Sequence, residues 1–172
     1  MNDNSQHSSD CESCPLTSRR DFVRNASISL AAIMASLGAS RQALALPVTM
    51  IDALTRSAGI ITYAIPASDS VQIDKENEVI LVRSQNVVYA FNLSCPHQNT
   101  ALRWNEGAKE FQCPKHKSKY TPQGAFISGR ATRGMDRFAI RRQGTSVVVN
   151  VDELYQEDEN GAEWKSALVR LA

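Results

Sequence analysis

Cysteine and histidine are scarce in this sequence: its 172 residues include four cysteines and three histidines. Three of these seven, His7, Cys11 and Cys14, lie in a polar leader, and the other four lie between residues 95 and 116. If the leader is removed, no spare thiol is left for a disulfide. The formal net charge is only +1, so charge does not indicate a nucleic-acid partner. A hydrophobic fraction of 42% is typical of a soluble globular protein.

Residues 1–45 have the pattern of an export signal. A polar stretch containing a C-x-x-C pair is followed by Arg19 and Arg20, then by an apolar run that ends in a small-x-small site at Ala45. This order is typical of a secretory signal, and the paired arginines resemble the twin-arginine signal. We expect cleavage after Ala45 and a location in the periplasm or on the outer face of the cytoplasmic membrane. The alternative is retention as a membrane anchor, although the apolar run is shorter than the roughly 20 residues of a spanning helix.

Short apolar runs separated by turn residues follow from residue 60 onward. Many short strands of this kind indicate an all-β sandwich or small barrel. Trp164, Ala167, Leu168 and Leu171 fall at helical spacing and predict a short C-terminal helix. The candidate strands are 60–64, 79–83, 87–92, 110–112, 125–127, 138–141 and 146–151.

The cysteines and histidines beyond the leader form two pairs. Cys95 and His97 make a C-x-H pair, and Cys113 and His116 make a C-x-x-H pair after fifteen further residues. Such a set could hold one zinc ion, but the ligand pairs of structural zinc usually have about two to five intervening residues. The alternative is two irons that share the ligands, with both cysteines on one iron and both histidines on the other. The spacing favours the two-iron site over zinc.

This arrangement resembles the Rieske iron–sulfur family, and the resemblance covers residues 71–151. It implies an all-β domain of three small stacked antiparallel sheets, with one [2Fe–2S] cluster per chain at the tip of two loops. The ligand loops are residues 94–100 and 113–120. Residues 46–70 are then expected to be a linker and first strand, and 152–172 an acidic tail with the short helix.

Ser118 and Tyr120 follow His116 at the spacing found in the high-potential Rieske proteins of cytochrome bc complexes. The resemblance implies that the serine hydroxyl donates to a bridging sulfide and the tyrosine hydroxyl to a cysteine sulfur. Such donors stabilise the extra electron, so we expect a potential towards the upper end of the Rieske range, roughly −150 to +300 mV. The alternative is a turn serine and a half-buried tyrosine of no redox importance.

Two features depart from the cytochrome bc pattern. The disulfide that links the cluster loops in those proteins cannot form here, because its positions are occupied by Thr100 and Lys115. The loops must therefore be held by hydrogen bonds and packing. The third loop, which covers the cluster and usually contains proline, corresponds to residues 128–136 and contains none. The missing disulfide favours soluble or oxidase-associated Rieske proteins over a bc complex, and the missing proline bears on how the cluster is shielded.

Charge is distributed unevenly along the chain. Residues 103–142 contain ten Lys or Arg and three acids, whereas residues 152–163 contain six acids and no base. Basic residues near the cluster would steer an acidic partner towards it; ordinary solvated charge is the alternative. The residues expected to form this rim are Lys115, Lys117, Lys119, Arg130, Arg133 and Arg137.

These observations predict an exported electron-transfer protein, or a small non-catalytic subunit of a respiratory oxidoreductase. Its partner would be a quinol, a c-type cytochrome or a larger oxidoreductase subunit. The alternative is a Rieske ferredoxin that supplies an oxygenase. The export pattern argues against that alternative, and so do Ser118 and Tyr120, a pair that such ferredoxins typically lack.

Overall fold

Residues 46–171 are described in the computed structural model, and nearly half of them lie in β-strands. The all-β class with one short C-terminal helix is confirmed. The strands are β1 Val48–Met50, β2 Thr55–Ser57, β3 Ile60–Ala64, β4 Ser70–Asp74, β5 Val79–Ser84, β6 Val87–Asn92, β7 Arg103–Asn105, β8 Glu110–Gln112, β9 Lys119–Tyr120, β10 Phe126–Ser128, β11 Arg137–Gln143, β12 Ser146–Tyr155 and β13 Val169–Arg170; the helix is α1 Gly161–Ser166.

The strands form two sheets instead of the three that the resemblance implies. The larger sheet has nine strands in the order β1-β4-β5-β6-β11-β12-β3-β2, with β13 paired to β6. The smaller sheet has the order β10-β9-β8-β7. Strand β11 pairs with β12 along its length and also places Arg137 opposite Phe91 on β6. This double pairing joins strands that would otherwise form separate sheets.

Strand β5 separates two apolar clusters. Neighbouring residues of a strand point to opposite faces, so Ile80 packs into one cluster and Leu81 into the other. The first cluster also contains Cys95, Cys113 and Tyr120. The predicted ligand cysteines are therefore built into the core on one face of the larger sheet.

The segment 46–70 contributes more strands than the expected linker and first strand. It contains β1, β2 and β3, and β1 pairs in parallel with β4. At the other end, β12 continues to Tyr155, beyond the boundary predicted at residue 151.

The helical spacing near the C-terminus predicts too long a helix. Helix α1 ends at Ser166, where Ala167 adopts φ −70° and ψ 71°. The chain then forms β13, with Val169 opposite Val88. The backbone of β6 has N–H and C=O groups that pair with β13 and that a longer helix would leave unpaired. This pairing outweighs the helical spacing of the apolar residues. Within the described range, no helix is long and apolar enough to cross a membrane. The predicted export signal, residues 1–45, lies outside that range.

Candidate iron–sulfur site

The first ligand loop follows β6 and is closed by its own backbone. Ser94 and Ala101 form an isolated bridge at its base. The Cys95 amide donates to the Thr100 carbonyl at 2.9 Å, and the Asn99 amide donates to the Cys95 carbonyl at 2.9 Å. Asn99 has a φ of 47°, in the left-handed region that asparagine tolerates better than most residues.

The second ligand loop joins β8 to β9 and repeats this turn. The Cys113 amide donates to the Ser118 carbonyl at 2.8 Å, and the Lys117 amide donates to the Cys113 carbonyl at 2.9 Å. Lys117 also has a left-handed φ, 57°. Each loop therefore holds its cysteine through the same pair of hydrogen bonds. This is how loops without a disulfide keep a defined shape.

The four predicted ligands differ in exposure. Cys95 and Cys113 are free thiols buried to 0% and 1% exposure, whereas His97 and His116 are partly exposed. The Nδ1 atoms of the two histidines lie 3.2 Å apart. Two nitrogen ligands on one tetrahedral metal, with bonds of about 2.05 Å, would be separated by about 3.3 Å. The histidine pair therefore fits a shared metal atom.

The surroundings of His116 favour its neutral form. Loss of solvent lowers the pKa of His116, and so do His97, Lys115 and Arg130 nearby. A neutral imidazole has the free lone pair that metal ligation requires. Among residues 46–171, no three Cys, His, Asp or Glu side chains are grouped so that they could hold a metal ion.

Tyr120 and Ser118 lie beside the buried cysteines. The Tyr120 hydroxyl is 3.3 Å from Sγ of Cys95. Burial and this contact raise the pKa of Tyr120, so its phenol keeps its proton. The fully buried Ser118 hydroxyl accepts hydrogen bonds from the amides of Arg130 and Ala131, both at 3.1 Å. Sequence reasoning missed these two amide contacts from the cover loop; Gly129 beside them was the one local signal.

A family model described as the Rieske [2Fe-2S] domain matches residues 63–153, slightly more than half of the chain. The chain belongs to the Rieske family. The expected [2Fe–2S] cofactor is thereby confirmed in place of zinc, and so is the general role of electron carrier. The donor set fits this cofactor, because two buried cysteines and a pair of adjacent histidines are the ligand types of a Rieske cluster.

Curated relatives of this Rieske protein include iron–sulfur subunits of cytochrome b6-f complexes. The subunit from Chlorobaculum tepidum is 28% identical over 76 residues, which cover 44% of this chain and 42% of the relative. The subunit from a Synechococcus species is 34% identical over 59 residues, which cover 34% of each chain. The match therefore spans less than half the length of these relatives.

Two solved structures are also similar to this Rieske protein. The plasma membrane Rieske protein PetC3 from Synechocystis has a TM-score of 0.38 and 22% identity, with coverage of 53% of this chain and 85% of that one. The ferredoxin of carbazole 1,9a-dioxygenase from Nocardioides aromaticivorans has a TM-score of 0.35 and 21% identity, with coverage of 50% and 86%.

Only half of the predicted basic rim of this Rieske domain is free. Lys115, Lys117 and Arg130 are exposed. The other three are engaged within the fold, which corrects the prediction of six free charges. Lys119 pairs with Glu110 at 2.6 Å, Arg133 pairs with Asp136 at 3.0 Å, and Arg137 is buried among aromatic rings.

Proposed function

We propose that this Rieske protein is an exported one-electron carrier of high potential, acting alone or as a small subunit of a respiratory oxidoreductase. In this proposal Cys95 and Cys113 hold one iron, and His97 and His116 hold the other. The 3.2 Å approach of the two Nδ1 atoms supports the histidine half. Burial of both thiols supports the cysteine half, because it keeps the sulfurs away from water.

When bound, the cluster supplies reversible uptake of a single electron. The chain's own residues determine where that electron can be exchanged. The histidines are the partly exposed ligands, so a partner that docks on His97 and His116 has the shortest path to the cofactor. Lys115, Lys117 and Arg130 lie around or near that edge and favour a partner with an acidic surface.

The high potential is proposed on one observation, the 3.3 Å contact of the Tyr120 hydroxyl with the Cys95 sulfur. A metal-bound cysteine is a thiolate and has no proton, so the tyrosine must be the donor. Donation to sulfur stabilises the electron-rich reduced state and raises the potential. The buried Ser118 hydroxyl is proposed as a second donor, towards a bridging sulfide.

The partner is proposed to be a cytochrome, a quinol or a larger oxidoreductase subunit. The relatives' names favour the cytochrome, because they are subunits of cytochrome b6-f complexes. The supply of an oxygenase, the alternative, is disfavoured by the Tyr120 and Ser118 donors and by the export pattern.

Reduction by ascorbate tests the high-potential proposal. Ascorbate is a mild reductant, so the visible absorbance of the purified, cluster-loaded protein should bleach on its addition. Bleaching by dithionite alone would contradict a high potential and favour the ferredoxin alternative.

Export is tested by changing both arginines of the leader, Arg19→Lys and Arg20→Lys. The unmodified protein should be recovered from the periplasm or membrane fraction with its cluster, and the double variant from the cytoplasm. Equal distribution of the two proteins would overturn the twin-arginine assignment. N-terminal sequencing of the mature protein would show whether cleavage follows Ala45.

A further inference from the structure

The cover loop, residues 128–136, lies directly against Ser118. Gly129 in this loop has a φ of +113°, a conformation that residues with side chains rarely adopt. A Cβ atom at this position would lie 2.4 Å from Cα of Ser118 and 3.0 Å from its Oγ. Glycine is therefore required for the loop to come this close.

The close approach uses both acceptor sites of the Ser118 hydroxyl. A serine oxygen has two lone pairs and one proton. The Arg130 and Ala131 amides donate to this oxygen, each at 3.1 Å, so both lone pairs are taken. The hydroxyl proton must then point in the one remaining direction. Ser118 is fully buried, so bulk water cannot compete for that proton.

The double contact requires a backbone N–H at both position 130 and position 131. Proline has no backbone N–H and cannot donate. Residues 128–136 contain none, so the amides at 130 and 131 are both available. A hydrogen bond received by an oxygen also polarises its own O–H, which strengthens the bond that it donates.

We propose that the cover loop, through Gly129 and the amides of Arg130 and Ala131, fixes the Ser118 hydroxyl with its proton aimed at the bound cluster, and so raises the reduction potential. The inference rests on the proposed role of Ser118 as a donor to the cluster. Gly129 is a positioning residue in this account: it touches Ser118 and acts through it.

A double-mutant cycle on the cluster-loaded protein tests this coupling. The variants are Gly129→Ala, Ser118→Ala and the two combined, with Gly107→Ala as a matched control. A Cβ at Gly107 meets only Asn105 Oδ1 at 3.5 Å, an ordinary contact. Redox titration should show a lower potential in both single variants than in the unmodified protein. The double variant should have the same potential as Ser118→Ala, and the control should have the potential of the unmodified protein.

A second comparison keeps the test open if Gly129→Ala does not fold. Arg130→Pro and Arg130→Ala both remove the guanidinium charge, but only the proline also removes the amide donor to Ser118. The potential should therefore be lower in Arg130→Pro than in Arg130→Ala. In the Ser118→Ala background the two substitutions should give the same potential.

The possible failures are distinguishable. If Ser118→Ala leaves the potential unchanged, the proposed donor role of Ser118 is wrong, and the inference falls with it. If Ser118→Ala lowers the potential but Gly129→Ala and Arg130→Pro match their controls, only the role of the cover loop is overturned. A fall caused by Gly129→Ala that persists without the serine hydroxyl would also overturn it.

Discussion

At the scale of single residues, Tyr120 belongs to the core and to the site at once. Its ring packs edge-on against Phe126, with centroids 6.1 Å apart, while its hydroxyl lies 3.3 Å from the Cys95 sulfur. Phenylalanine at this position would keep the packing and lose only the donor. Tyr120→Phe thus separates the contribution of the hydrogen bond from that of the ring.

We expect Tyr120→Phe to lower the reduction potential. We expect the hydrogen bond to be about 1–1.5 kcal/mol stronger when the cluster is reduced, because the sulfur then carries more negative charge, and for one electron this difference equals roughly 40–65 mV. Redox titration of the variant checks the shift. Tyr63→Phe is the matched control, because Tyr63 lies in the second apolar cluster and donates to Asp74 at 2.9 Å. An equal shift in both variants, or none in Tyr120→Phe, would refute the donor role.

Asp74 is a buried carboxylate whose charge contributes to stability. Burial opposes its ionisation, but hydrogen bonds from Asn77 and Tyr63 more than offset this, so the pKa of Asp74 lies below its ordinary value of 3.8. A folded-state pKa below the unfolded one gives a contribution that is complete above the unfolded pKa and is lost as the pH falls through the folded pKa.

The effect of Asp74→Asn should therefore depend on pH. We expect the substitution to reduce the free energy of unfolding by about 1–2 kcal/mol at pH 7 and by less below the unfolded pKa. Denaturant unfolding of both proteins at a series of pH values checks this. Any acid loss of the cluster is shared by the two proteins and cancels in the comparison. A destabilisation that does not change with pH would contradict the assigned pKa shift.

At the scale of elements, helix α1 fastens the end of the cover loop to the larger sheet. Trp164 on the helix donates through Nε1 to the Met135 carbonyl at 2.8 Å. The centroid of its ring lies 3.6 Å from Cζ of Arg137. Arg137 in turn donates to the Trp164 carbonyl at 2.7 Å. Burial lowers the pKa of Arg137 to about 10, which leaves it charged at neutral pH. A residue expected to belong to the basic rim thus serves the fold.

Trp164→Phe should destabilise the protein by about 2 kcal/mol, or roughly 6–10 °C in the thermal midpoint. The change removes the donor to the buried Met135 carbonyl and weakens the stacking on Arg137. Trp104→Phe is the control, because Nε1 of Trp104 has no hydrogen-bond partner in the part of the chain that the structure describes. Its midpoint should fall by less than half as much. Equal losses in the two variants would show that only ring packing matters.

Sequence patterns located some elements well and missed others for identifiable reasons. The runs 60–64, 87–92 and 110–112 match β3, β6 and β8, because dense β-formers bounded by polar residues leave few alternatives. Strand β4 was missed because Gln72 and Asp74 interrupt its apolar pattern; Asp74 is buried only because Tyr63 and Asn77 bind it. Strand β1 depends on pairing with β4, a distant contact that local composition does not report.

The predicted site shows the same division. The four candidate ligands were proposed from the spacing of the cysteines and histidines, and Ser118 and Tyr120 from the resemblance to high-potential Rieske proteins. The contact of the cover loop with Ser118 joins residues twelve and thirteen positions apart, and it depends on a backbone conformation at Gly129. Spacing carries no information about such an approach.

At the scale of the whole molecule, the exposed charge around the histidines should govern association with a partner. Lys115→Gln with Lys117→Asn should slow electron transfer to an acidic c-type cytochrome, on the order of threefold to tenfold at low ionic strength. Asparagine tolerates the left-handed φ of Lys117, so the loop should keep its shape.

Arg141→Gln with Arg142→Gln is the matched control for this experiment. It makes the same change in net charge on the exposed end of β11, which is outside both ligand loops in sequence. Stopped-flow rates at several salt concentrations should show a weaker salt dependence for the lysine variant alone. If the electron-transfer rate of the unmodified protein does not depend on salt, or if the rates of both variants fall equally, steering by Lys115 and Lys117 is excluded.

The central claim, a high-potential cluster held by two thiolates and two imidazoles, is tested most directly by pulsed EPR of the ascorbate-treated protein. The account predicts a rhombic signal with an average g below the free-electron value and with coupling to two histidine nitrogens. Replacement of His97 or His116 should remove this two-nitrogen coupling. A signal without nitrogen coupling, or no signal from a protein that contains stoichiometric zinc, would contradict it.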